Sequence, residues 1–306
     1  MNKLFLYVCG VTTLIITQFL VAPDVVAIRG GFVITGATGV VEIRGCTGQM
    51  ISPNTILTAA HCVDSFSSSK VKSGRSTFTI YYHDPKLGRR LVYYGEGDWY
   101  RHRDYTGSCC GAGPANTDIS IVRTLKPFKN TDYHDYLRLY ADGDNPLYTW
   151  LTAYGAGKYT YSGNGDDKLR TAWFRVESVA KNHIVVDNRD DVNLCKGDSG
   201  GPLEYLTTYG EEIIPLVAGV ASNTERDSSD EACAGNSWGF SDDTFYSRTN
   251  WEKLSSLMAT ANISCSLMSI NGIAYRRCFN IPLIEDIEWE GYTMEEGVAM
   301  MVVISP

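Results

Sequence analysis

From Phe32 onward the apolar positions fall in short runs, without the three- and four-residue spacing of a helix. In the first half the runs are Phe32 to Thr35, Val40 to Ile43, Phe78 to Tyr82, Leu91 to Tyr94 and Ile119 to Val122. The second half repeats the texture with Tyr148 to Tyr154, Ala172 to Val179, His183 to Val186 and Ile213 to Val220. The runs are rich in β-branched and aromatic residues, and Gly, Asn, Asp and Ser separate them. That pattern predicts strands joined by tight turns. Many short strands in succession predict an all-β barrel or sandwich. One segment departs from the rule. Asn250 to Ala261 places Trp251, Leu254, Leu257 and Met258 on one helical face, which predicts a helix near the C-terminal end.

The stretch Asp142-Gly143-Asp144-Asn145-Pro146 lies mid-chain and reads as the connector between two β units, with a junction near residues 141–147. After Asn262 the texture changes again. A pair of cysteines is followed by an acidic segment, Glu285 to Glu296, and an apolar run, Val298 to Ile304. That run is far shorter than the ~20 residues a membrane span needs and is expected to pack as a strand on the main body. The chain therefore divides into a leader over 1–27, a main domain over 28–261 and an extension over 262–306.

The leader follows from its own pattern. Lys3 precedes an apolar stretch from Leu4 to about Val21, and Val25-Val26-Ala27 offers small residues for a signal peptidase. Thr12, Thr13, Thr17 and Gln18 weaken the alternative of a retained membrane anchor. An exported, secreted protein without a stable membrane span is expected. The formal net charge of −8 makes nucleic acid a poor partner, since phosphate binding needs a basic surface. Of nine cysteines, Cys9 lies in the leader, and the remaining eight form an even set suited to disulfides in an exported chain. No C-x-x-C or H-x-x-x-H pair is present, so no metal site and no cofactor are expected.

Chemistry concentrates in three strings. Cys195-Lys196-Gly197-Asp198-Ser199-Gly200-Gly201-Pro202 sets a serine among glycines, which allow backbone N–H groups to converge on one point. The N–H groups of Gly197 and Ser199 are placed to hold a developing oxyanion beside the Ser199 hydroxyl. A serine needs a base to act as nucleophile. His61, in Leu57-Thr58-Ala59-Ala60-His61-Cys62, is that base; small residues precede it and allow close backbone packing. His83, His102, His134 and His183 read as surface or strand-face side chains. Asp118, in Thr117-Asp118-Ile119-Ser120-Ile121-Val122, leads directly into an apolar strand, so its carboxylate can be buried and fixed against the imidazole. Asp98 and Asp104 are the fallback acids.

These strings resemble the three signature segments of the chymotrypsin/trypsin serine protease family, in that family's order of His, Asp, Ser. The resemblance runs from about Ile28 to Ala261. It implies two antiparallel six-stranded β-barrels with His61, Asp118 and Ser199 in the cleft between them. It also implies disulfides Cys46–Cys62, beside the histidine, and Cys195–Cys233, across the specificity pocket. Of the three pairings open to Cys109, Cys110, Cys265 and Cys278, we favour Cys265–Cys278, a local loop. That leaves Cys109 and Cys110 to each other or to a partner.

Family members begin Ile-Val-Gly-Gly once activated, and the new amine pairs with the aspartate before the serine. Here Ile28-Arg29-Gly30-Gly31 occupies that place, and Asp198 is the implied partner of Ile28. No Arg or Lys precedes Ile28; cleavage after Ala27 would expose it. Arg29 stands where an apolar residue is usual. In the specificity pocket Asn193 takes the position of the basal aspartate of trypsin-like members. Ser222 belongs to the strand that pairs with substrate, and Thr224 and Thr244 fall on walls that are usually glycine. A neutral, partly filled pocket implies small or neutral side chains before the cut bond. The sequon Asn262-Ile263-Ser264 is also present.

The chain is therefore expected to be a monomeric endopeptidase acting on protein or peptide substrates and open to protein inhibitors. The alternative is a catalytically inactive or tail-dependent exported binding or toxin protein on the same fold. All three triad positions are filled, which favours the enzyme.

Overall fold

A computed structural model describes residues 28, 30–66, 71–86, 89–107, 117–128, 136–141, 146–147, 149–157, 168–187, 192–224 and 243–280. The leader, Arg29, Cys109, Cys110, His134, Cys233 and the run Val298 to Ile304 lie outside these residues.

Six strands close a first barrel: β2 (Val40–Ile43), β3 (Cys46–Ser52), β4 (Thr55–Thr58), β5 (Ser73–Asp84), β6 (Arg89–Arg101) and β7 (Ser120–Thr124). Their order around the barrel is β2-β3-β4-β7-β6-β5, all pairs antiparallel. Met50, Ile56, Phe78, Ile80, Trp99 and Val122 fill it. A second barrel contains β9 (Trp150–Gly155), β10 (Leu169–Val179), β11 (His183–Asp187), β12 (Pro202–Tyr209), β13 (Glu212–Thr224) and β14 (Asp243–Arg248). It closes because β12 pairs with both β9 and β13. Its core includes Leu151, Ala172, Phe174, Val176, Leu203 and Leu216. The short β1 (Phe32–Ile34) lies along β10. This is the two-barrel, all-β architecture that the family resemblance implied.

A third apolar cluster joins the barrels. Leu57 and Ile121 of the first meet Val217 and Val220 of the second, together with Leu254, Leu257 and Met258 of α1 (Trp251–Thr260). The helix is where the 3.6-residue pattern predicted it, and those three residues are its buried face.

Two cysteine-bearing strands follow: β15 (Ile263–Ile270) and β16 (Ile273–Asn280). Asn271 and Gly272 turn the hairpin with φ of 51° and 82°, as a two-residue primed turn requires. Cys265 and Cys278 face each other across it and form a disulfide. β16 then pairs with β8 (Arg138–Tyr140), which runs parallel to β13. The first part of the extension is thus hydrogen-bonded into the sheet of the second barrel. Among the described residues no helix is long and apolar enough to cross a membrane.

Candidate active site

His61 and Asp118, the expected base and acid, are supplied by the first barrel. β4 delivers the chain into a 3₁₀ turn, Ala60–Phe66, with His61 in its first residues. Asp118 sits two residues before β7, which is hydrogen-bonded to β4, so the strand pairing brings the two together. Asp118 is 2% exposed. Its Oδ2 lies 2.6 Å from His61 Nδ1, and its Oδ1 accepts the His61 backbone N–H at 2.9 Å. Ser222 Oγ on β13 donates to Oδ2 at 2.7 Å. Burial pushes the Asp118 pKa up, but the imidazole's charge and hydrogen bond, the Ser222 hydroxyl and the His61 N–H outweigh it and hold the carboxyl below its ordinary range. The acid therefore stays ionised and fixes the imidazole's orientation.

The fallback acids are engaged elsewhere. Asp98 pairs with Arg75 at 2.7 Å, and Asp104 with Lys253 at 3.2 Å. His102 is buried, with Nε2 3.0 Å from the Lys253 carbonyl, and burial lowers its pKa. His83 is also buried, on β5.

The serine comes from the second barrel, on a loop clamped by the first. Thr47 N–H donates to the Ser199 carbonyl at 2.8 Å, Thr47 Oγ1 to the Gly197 carbonyl at 2.8 Å, and Gln49 Nε2 to the Gly200 carbonyl at 2.9 Å. Cys62 Sγ, bonded to Cys46, lies 3.6 Å from the Ser199 carbonyl oxygen. The residue after His61 therefore touches the Ser199 segment. Gly197 and Gly200 have φ of 100° and 85°, open to glycine and strained for other residues. The N–H groups of Asp198, Gly200 and Gly201 bond to Cys195, Ala221 and Asp198 carbonyls. Among the described residues, those of Gly197 and Ser199 make no hydrogen bond, which leaves two donors from alternate residues of one tight turn.

Beneath the loop Asp198 is fully buried. Its carboxylate accepts N–H groups from Cys195 at 2.7 Å, Ile28 at 2.8 Å and Gly157 at 3.0 Å. Burial raises its pKa, while these three bonds and the charge of Arg170 act the other way. Gly155 and Gly157 make room for it: a Cβ at Gly155 would stand 2.5 Å from the Asp198 Cγ, and one at Gly157 2.6 Å from Oδ1.

Of the residues expected in the specificity pocket, Asn193 is buried, and its Oδ1 has no hydrogen-bond partner among the described residues. Thr224 and Thr244 are cross-strand partners on β13 and β14, and Thr244 is fully buried. Ser222, expected along the substrate strand, has its hydroxyl on Asp118. Cys195 is disulfide-bonded; Cys233 lies outside the described residues. Cys46, His61 and Cys62 cluster ligand-type atoms, but the two sulfurs are joined to each other, so no thiolate is present there to hold a metal.

Sequence reasoning passed over Thr47, Gln49, Gly155, Gly157 and Arg170. The glycine pair flanking Ala156 was the one signal that pointed to a close backbone approach.

Comparison with known proteins agrees with this geometry. The family model described as Trypsin matches residues 32–238. Chymotrypsin-like elastase family member 3B of Macaca mulatta is 26% identical over 201 residues, covering 59% of this chain and 74% of its own. Serine protease 1 of Drosophila melanogaster is 30% identical over 194 residues, covering 56% of this chain and 64% of its own. Brachyurin of Leptuca pugilator is 29% identical over 187 residues, covering 57% and 77%. With the family model spanning more than half the sequence, the chain belongs to the trypsin family of chymotrypsin/trypsin-like serine proteases.

Proposed function

We propose that this protein is a secreted serine endopeptidase that cleaves peptide bonds through an acyl-enzyme on Ser199. The observation that carries the reading is the buried Asp118 carboxylate 2.6 Å from His61 Nδ1, with the Ser199 loop clamped by Thr47 and Gln49 of β3, the neighbour of β4. With Nδ1–H donated to Asp118, the other ring nitrogen, Nε2, is the basic one. It takes the Ser199 Oγ proton as Oγ bonds to the substrate carbonyl carbon. The carbonyl π electrons move to oxygen, where the Gly197 and Ser199 N–H groups receive the charge. Collapse of this adduct breaks the C–N bond, and the imidazolium passes its proton to the leaving amine. Water then repeats the sequence to release the acid and restore Ser199.

Ile28 supports maturation by cleavage after Ala27. Its nitrogen already reaches Asp198 at 2.8 Å. Its φ is 41°, a backbone conformation costly for a β-branched residue. Removing residue 27 removes that restriction and turns a neutral N–H donor into an ammonium.

The pocket favours a small or medium neutral side chain before the cut bond. Asn193 offers a buried amide in place of a carboxylate and cannot neutralise a guanidinium or ammonium. Thr244, fully buried on β14, stands at a wall position where the family resemblance implies glycine.

Labelling with a fluorophosphonate, followed by mapping of the modified residue, tests the mechanism. Modification at Ser199 that is lost in Ser199→Ala is the expected result, and a folded protein that neither labels nor hydrolyses a peptide library overturns it. The same library reads specificity; predominant cleavage after Arg or Lys overturns the pocket assignment.

A further inference from the structure

One motif of the sequence has no part in the proposed chemistry. Asn262-Ile263-Ser264 is the single Asn-X-Ser/Thr string in the 306 residues, and its middle residue is not proline. The structure turns both ends of the motif to solvent: Asn262 and Ser264 are exposed, and Ile263 between them is buried. Asn262 lies between the end of α1 and the first residue of β15, with φ of 60°. Asparagine tolerates that left-handed conformation better than most residues. Its backbone N–H closes the helix end on the Ala259 carbonyl at 3.1 Å.

The side chain is not spent on the fold. Elsewhere asparagine amides serve the structure. Asn54 Nδ2 donates to the Thr124 carbonyl at 3.0 Å and Asn250 Nδ2 to the Lys181 carbonyl at 3.1 Å. Asn271, also in a left-handed turn, donates its Nδ2 to the Thr208 carbonyl. Among the described residues the Asn262 side chain makes no hydrogen bond. The helix stop needs only the backbone at this position, a need that glycine commonly meets. An exposed amide carried outward on a turn leaves room for a bulky substituent.

The position also bears on the strand that follows. β15 is the outermost strand of its sheet and, among the described residues, pairs with β16 alone. Its eight residues, Ile-Ser-Cys-Ser-Leu-Met-Ser-Ile, contain no charge and no proline, and they keep one register along β16 without a bulge. Leu267 and Met268 are 60% and 42% exposed. A long, regular, uncharged edge is a template for a strand of another chain, and proteins blunt such edges with lysine, proline or a bulge. This edge carries none of the three. A hydrated oligosaccharide at its head would blunt it by bulk instead.

We propose that Asn262 is an N-glycosylation site and that its glycan shields the edge of β15 from pairing with another chain. The donor is a lipid-pyrophosphate-linked oligosaccharide of a eukaryotic secretory pathway. Asn262 Nδ2 bonds to the anomeric carbon of the reducing-end sugar, and the bond from that carbon to the pyrophosphate oxygen breaks. Lipid pyrophosphate leaves with the electron pair, and Nδ2 gives up one proton. Ser264 completes the string that the transferase reads. This rests on the reading of the leader as an export signal and not on Ser199 as nucleophile.

The full chain, with its own leader, is expressed in mammalian cells and collected from the medium. Wild type is expected to lose mass on treatment with peptide N-glycosidase F, which leaves an aspartate at position 262 in a peptide map. Asn262→Gln and Ser264→Ala should abolish that shift, and Ser264→Thr should keep it. Light scattering should find the glycosylated protein monomeric and Asn262→Gln shifted to dimers or larger species at the same concentration. Adding Leu267→Lys to Asn262→Gln should return the monomer, because a lysine on the edge disfavours pairing. A protein secreted without a glycan overturns the proposal. An Asn262→Gln protein as monomeric as wild type overturns the shielding role. Where Asn262→Gln does not fold, enzymatically deglycosylated wild type answers the same question. A chain that neither reaches the medium nor carries a glycan refutes export, and the glycan with it.

Discussion

Gly155→Ala is the sharpest probe of the arrangement under Ser199. The added Cβ would stand 2.5 Å from the Asp198 Cγ and 3.0 Å from its Cβ, against the ~3.5–4.0 Å at which carbon atoms pack. Asp198 must retreat by about an ångström. It is fully buried and held by N–H donors at 2.7, 2.8 and 3.0 Å, so that movement breaks or bends all three bonds. Overpacking alone costs about 1–3 kcal/mol. Each charge-assisted bond lost adds about 1.5–3 kcal/mol, so the loop is expected to shift before the barrel unfolds. A misplacement of about 1 Å can reduce turnover about 10²-fold. The expected result is a folded protein whose melting temperature falls by several degrees, with fluorophosphonate labelling down at least a hundredfold. Gly210→Ala is the control. Gly210 has φ of 62° and no atom within 4 Å of an added methyl, so the substitution brings backbone strain of about 1–2 kcal/mol without a clash. Its labelling should be unchanged. A Gly155→Ala protein that melts lower yet labels within threefold of wild type would show that Asp198 does not anchor the loop.

Asp118→Asn should reduce kcat by about 10⁴-fold with little effect on KM, because the amide favours the wrong imidazole tautomer; steady-state kinetics on a peptide ester measures it. Replacing both cysteines of Cys46–Cys62 by serine should cost about 3 kcal/mol in denaturant unfolding by the chain-entropy relation, and should slow labelling through the contact with Ser199. The same exchange at Cys265–Cys278 should lower stability, because Cys278 lies in the apolar cluster that joins the barrels, and should slow labelling less than loss of Cys46–Cys62, whose Cys62 sulfur reaches the Ser199 carbonyl. Glu204 is buried on β12, and burial raises its pKa well above the ordinary value. A raised carboxyl pKa favours the fold below about pH 4.5, and that advantage is lost as pH rises through the folded value. Glu204→Gln should therefore melt higher than wild type at pH 8, with the difference shrinking toward pH 4; a constant difference across that range would refute the titration.

The sequence by itself determined most strands as short β-branched and aromatic runs, the amphipathic helix over Asn250 to Ala261, and the three strings bearing His61, Asp118 and Ser199. These were legible because apolar runs between turn residues, helical periodicity and a glycine-flanked serine are local properties of the chain. β3 and β4 were not legible, for a physical reason. Thr47, Gln49 and Thr58 are fully buried polar residues, and what makes their burial tolerable is hydrogen bonding to Gly197, Gly200 and Thr47 carbonyls, two of them some 150 residues distant. A residue-by-residue pattern treats such positions as exposed. The hairpin β15–β16 was missed although Asn271-Gly272 marks its turn, because Ser264, Ser266, Leu267, Met268 and Ser269 are all exposed and show no buried face. Only the tertiary structure decided which partners meet. Ser222 on β13 donates its hydroxyl to Asp118, a contact across 104 positions of sequence that no local pattern encodes. Arg170 drew no reading in sequence; the pairing of β10 with β9 sets it, fully buried, across from Gly155, a relation that no local pattern encodes.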